Sequence, residues 1–146
     1  MQLSPCLAML ALLAGTLPAS AGICVLSLPT GGSLGLSADG LRLGSEYGAL
    51  PLAGTLTVAS VGSSTLTVDP PQWTQTATHY HPVSELREVS YSSPLSGGSH
   101  AYTSSSSSIT VPNLINAVLL TINTRVTNSA GFADGTYKLR TVVTCS

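Results

Sequence analysis

The segment THYHP holds the most ligand-like side chains in the chain, His79 and His81. Residues two apart in an extended segment project to the same side, so both imidazoles would reach one metal ion. His100, in GGSHAY, becomes a third donor if the loops converge. Imidazoles suit zinc or copper. The plainer reading makes them polar loop residues beside Pro82, since three histidines without a fixed long-range spacing define no site. No cofactor is expected.

Other chemistry finds less support. Serines are abundant, yet none sits in a G-x-S-x-G setting that would expose a nucleophile on a strained turn. Asp39, Glu46, Asp69, Glu85, Glu88 and Asp134 show no pairing that would mark a glycosidase. The glycines of PTGGSLG lack the lysine and the following helix of a phosphate cradle. The expectation is a protein that is not an enzyme. Four aromatics, Trp73, Tyr80, Tyr91 and Tyr102, lie in the least regular stretch, 70–105. Exposed on loops they would bind a glycan or a protein. Turned inward they would close the open end of a core. Arg42, Arg125, Lys138 and Arg140 read as solvent-face residues of strands.

The elements that must position these residues begin after residue 21. Residues 1–21 read as a signal peptide: an apolar run, CLAMLALLAG, is followed by TLPASA with Ala19 and Ala21 at the small-residue positions. The run is too short to span a bilayer, and no other segment would span one after cleavage. Residues 22–146 are then one domain. The whole chain has 5 Lys and Arg against 6 Asp and Glu, with no basic run. A nucleic-acid surface needs clustered cations, so no nucleic-acid partner is expected.

Cys6 leaves with the signal peptide, which keeps Cys24 and Cys145 near the two ends. In an oxidising compartment, secreted or periplasmic or at the cell surface, two remaining thiols pair. Alternation supports this pairing. ICVLSLP puts Cys24, Leu26 and Leu28 on one side, and YKLRTVVTC puts Tyr137, Leu139, Val143 and Cys145 on one face. Both cysteines therefore face a core, and their bond joins the first strand to the last.

Period-2 patterning runs through the rest. Asp39-Gly40 predicts a two-residue hairpin turn that sets Leu36 against Leu43. GTLTVASVGSSTLTVDPP predicts a second hairpin with a loop at Val61–Ser63 that sets Val58 against Leu66. ELREVSYSS alternates but is too polar for a central strand. NAVLLTINTRVTN places Val118, Leu120, Ile122 and Val126 on one side, with Thr121, Asn123, Arg125 and Thr127 on the other. No amphipathic helix appears. About seven to nine short strands separated by turns predict an antiparallel, immunoglobulin-like β-sandwich, with a small barrel as the alternative.

The C-terminal VPNLINAVLLTINTRVTNSAGFADGTYKLRTVVTCS resembles the end of bacterial secreted β-sandwich subunits of the spore-coat-protein-U and fimbrial-subunit type, through FADGTYKLRTVVT, Phe132 to Thr144. The resemblance implies an exported surface subunit assembled through a periplasmic chaperone. Only Gly22 and Ile23 precede Cys24, which leaves no donor strand for a neighbour, so a self-complete domain is expected. The leading functional expectation is an exported, structural or adhesion-type surface or periplasmic protein, with protein partners or self-assembly at the surface. A glycan- or protein-binding module using the Trp73–Tyr102 region is the alternative. Metal binding at His79 and His81 is the third.

Overall fold

β-Branched and alternating apolar residues keep the backbone extended, and the described residues form twelve strands with no helix. The computed structural model describes residues 22–95, 97–114 and 116–146; the expected signal peptide lies outside them.

The axis of the larger, seven-stranded sheet is β10 (Val118–Thr127). Along one edge it pairs antiparallel with β4 (Gly54–Val61) and, further on, with β3 (Arg42–Gly44). Along the other it pairs with β7 (Leu86–Ser92), which in turn pairs with β8 (His100–Thr103). β4 carries β1 (Ile23–Thr30) on its far side, and β3 carries β2 (Gly35–Leu36). The second sheet has β5 (Ser64–Val68) between β12 (Val143–Cys145) and β9 (Ser107–Val111). β11 (Lys138–Arg140) pairs with β6 (Gln72–Gln75) as an extension of the β12–β5 pair.

The core forms where the inner faces of the two sheets meet. Leu56, Val58, Val89, Tyr91 and Leu120 come from the larger sheet, and Leu66, Val68, Ile109 and Val111 from the smaller. This is the expected two-layer arrangement, an antiparallel β-sandwich. Cys24 of β1 and Cys145 of β12 are bonded, with Cα atoms 6.1 Å apart, so the bond joins the first and last strands across the two sheets. Both cysteines pack against the core, as their alternation required.

The expected β4–β5 hairpin does not form. β4 belongs to one sheet and β5 to the other, and the chain crosses the sandwich between them. Gly62, at φ 85°, makes the sharp turn, and the Ser60 and Ser64 hydroxyls hydrogen-bond across it at 3.0 Å. Val58 and Leu66 both reach the core, but from opposite layers. In the first hairpin the expected register holds, with Leu36 paired to Leu43. The turn is wider than two residues: Gly40 N–H donates to Ser37 O, Ser37 N–H donates to Arg42 O, and only Gly40 has a positive φ, 70°. Asp39 accepts from the Ser37 hydroxyl and the Leu41 N–H, and these bonds hold its carboxyl below the usual range.

Two further expectations change. β7 is paired on both edges rather than peripheral. Glu88 faces outward and pairs with Arg125 of β10 at 2.8 Å, while Arg87, on the side of Val89 and Tyr91, reaches Glu85 and Gln72 of β6 at the end of the core. YKLRTVVTC is two strands, not one. It breaks at Thr141–Val142, opposite Pro70-Pro71, which donate no ladder hydrogen bonds; only Asp69 N–H reaches across, to Val142 O. Such interruptions take the strand count above the expected seven to nine.

Candidate functional site

The four aromatics proposed from the sequence do not share one surface. Trp73, on β6, and Tyr80, in a turn closed by Tyr80 N–H to Ala77 O, meet edge to face at 5.5 Å. Tyr137 and Phe132 complete the group, with ring centroids between 5.5 and 5.7 Å apart. Within the cluster, Glu85 accepts hydrogen bonds from Trp73 Nε1 at 3.0 Å and from the Tyr80 hydroxyl, and pairs with Arg87 at 3.1 Å. Burial, reinforced by Glu85, raises the pKa of the Tyr80 hydroxyl. Tyr137 donates to Ala133 O at 2.8 Å. The rings pack on one another, each half-buried, and the cluster fastens two loops.

Tyr91 is 3% exposed and belongs to the main core, which removes it as a contact residue for a ligand. Tyr102 lies under Arg125, whose guanidinium carbon is 4.0 Å from the ring centroid. Its hydroxyl has no hydrogen-bond partner among the described residues, and burial raises its pKa.

The histidines lie in different local settings. The turn at Ala77–Tyr80 contains His79, so the two-residue periodicity that would aim His79 and His81 together is broken there. The His81 carbonyl accepts from Asn128, and His100 packs on Tyr91 at 5.6 Å. Among the described residues no group of three His, Cys, Asp or Glu is placed to hold a metal ion.

A site the sequence reading did not propose lies between the sheets. β1 is the edge of the larger sheet, and β11 and β12 form the edge on the same side of the smaller. The disulfide ties these edges together at Cys24 and Cys145. Away from it they enclose an open cleft of about 800 Å³. Aliphatic side chains line it: Leu26 and Leu28 of β1, Leu56 of β4, Ile122 of β10, Leu139 of β11 and Val143 of β12. Leu28 lines the cleft with Leu26, yet it is 68% exposed. A leucine left in water forgoes about 1.5–3 kcal/mol of burial. Its volume falls in the range of ligand sites.

The polar part of the lining is one-sided. Lys138 and Arg140 are exposed and line the cleft, and no Asp or Glu does. The other cations are paired: Arg42 with Asp39, Arg87 with Glu85, Arg125 with Glu88. Of the 5 Lys and Arg in the chain, the two without an acidic partner among the described residues are the two at the cleft. Thr141 contributes a buried hydroxyl that has no hydrogen-bond partner among the described residues.

Asn128 was not singled out in the sequence, yet it organises the loops beside the aromatic cluster. It is fully buried; its amide donates to His81 O and Gly131 O and accepts from Val83 N–H and Ala130 N–H. An Asn directly after a strand is an ordinary turn signal, which is why it did not stand out.

No family model, curated protein or solved structure matches this chain.

Proposed function

We propose that this chain is an exported, non-enzymatic β-sandwich of the bacterial cell surface or periplasm, and that it acts by binding through the cleft between β1 and β11–β12. The observation that carries the reading is Leu28, a leucine of the edge strand β1 that lines the cleft and remains 68% exposed. An occupant of the cleft would cover it. The disulfide supports export, because such bonds persist in oxidising compartments. Among the described residues no helix is long and apolar enough to cross a membrane.

A second reading keeps the fimbrial or coat-like subunit. It is favoured by the position of the cleft between two strand edges, of which only the regular stretch Ile23–Ser27 of β1 is free of interruption for pairing with a segment of another subunit.

The test is titration of the purified, exported protein with N-phenyl-1-naphthylamine, a neutral dye that fluoresces in apolar surroundings. Saturable, stoichiometric enhancement is expected, and Leu28→Asp should abolish it while leaving thermal unfolding cooperative. If native protein gives no enhancement, or Leu28→Asp gives the same enhancement, the cleft is not the binding element.

A further inference from the structure

The chemistry of the cleft names its occupant more narrowly than binding alone. Resting on the reading that the cleft is the binding element, we propose that it takes one free long-chain aliphatic anion, a fatty-acid-like carboxylate bound as a monomer.

Three observations converge. Six aliphatic side chains, Leu26, Leu28, Leu56, Ile122, Leu139 and Val143, supply the apolar part of the lining, neutral hydroxyl residues stand among them, and the described aromatic rings other than Tyr137 lie elsewhere. An alkyl chain gains from such a surface in proportion to the area it covers. The charges are all of one sign: Lys138 and Arg140 line the cleft without acidic partners among the described residues, so an anion meets no repulsion and a cation would. The cleft also offers hydroxyl-bearing side chains, Ser33, Ser45, Thr74 and Thr124, as hydrogen-bond donors for a carboxylate oxygen.

The shape selects a single chain over a peptide strand. The Cys24–Cys145 bond ties the two edges together one strand repeat beyond Leu26 and Val143, which line the cleft. A strand would need continuous ladders on the edges it joins. On β1 the register shifts between Ser27 and Thr30, and Pro29 in that interval has no N–H to donate. On the opposite edge β11 and β12 are interrupted at Thr141–Val142. Interrupted edges and proline discourage strand addition. An alkyl chain needs no ladder.

The experiment is displacement of N-phenyl-1-naphthylamine from the exported, disulfide-bonded protein by dodecanoate, dodecanol and dodecylammonium, each below its micelle concentration. Dodecanoate should displace the dye at a concentration about tenfold lower than dodecylammonium, as two exposed charge contributions imply. That preference should shrink in high salt. The double variant Lys138→Gln, Arg140→Gln should bind dodecanoate about tenfold more weakly and dodecanol unchanged; Arg42→Gln, away from the cleft, should change neither. If the double variant does not fold, the salt dependence of the unmodified protein decides the question. Equal displacement by anion and cation, or a salt-independent preference, overturns the proposal while leaving cleft binding intact. Displacement only by anionic phospholipid vesicles would assign the cleft to a membrane surface and overturn it. So would dye binding that is lost as the protein dimerises, which would assign the cleft to a second copy. No dye binding at all would remove the cleft reading itself.

Discussion

Replacing both cysteines, Cys24→Ala with Cys145→Ala, should remove a large share of the stability of the domain. The bond spans 121 residues of sequence, and the chain-entropy relation assigns a loop of that length about 5 kcal/mol. Observed costs of removing native disulfides from small secreted domains run from about 2 to 5 kcal/mol, so a loss of about 4 is expected. Against total stabilities of roughly 5–15 kcal/mol this leaves a fold that forms but is marginal. The melting temperature should drop by roughly 10–20 °C. Urea denaturation provides a second readout. A chain freed from its cross-link unfolds to a more expanded state, so the dependence of stability on urea should steepen. The structure adds a local reason for the loss: β1 and β12 lie in different sheets with no hydrogen-bonded ladder between them, so the disulfide is the direct tie between these two edges. A loss below about 1 kcal/mol with an unchanged urea slope would refute the reasoning, because the bond would then constrain neither the unfolded chain nor the cleft edges.

Leu120 and Leu28 are the same residue type, but Leu120 is 1% exposed and Leu28 is 68% exposed. Leu120→Ala should therefore cost about 2–5 kcal/mol in denaturant unfolding, and Leu28→Ala no more than about 0.5. Asn128→Ala breaks four hydrogen bonds at a fully buried position and should cost about 2–4 kcal/mol, with the loops at 81–83 and 130–131 gaining amide exchange. Tyr80 has its pKa raised by burial and by Glu85, so the folded state holds its proton more tightly than the unfolded chain. Its contribution is complete below the ordinary tyrosine value of about 10 and is lost as pH rises above it. Tyr80→Phe should flatten the decline of melting temperature measured above about pH 10.

What could be read from the sequence, and what could not, divides along a physical line. Alternation reports which side of a strand faces inward. It placed Cys24 with Leu26 and Cys145 with Val143, and the bond between them follows. It also set Leu36 against Leu43, because a two-residue turn and the wider turn at Ser37–Gly40 keep the same register. Alternation does not report what lies opposite. Val58 and Leu66 are neighbours in a hairpin and also across a sandwich, so the apolar pattern around Gly62 fits both, and only the partners β1, β9, β10 and β12 distinguish them. The aromatic cluster shows the same limit: Trp73 and Tyr80 are close in sequence, but Phe132 and Tyr137 reach them from a distant loop, and nothing in the local pattern of either stretch announces the other. The cleft is the extreme case. Leu28 carries the signature of a core residue, and so does every aliphatic side chain beside it, because the signature records direction and not coverage. A binding groove between sheet edges is therefore written in the same code as a finished core. The residues that separate the two are Lys138 and Arg140, solvent-facing by alternation, whose lack of acidic partners becomes visible only when the ion pairs of the other three cations are seen.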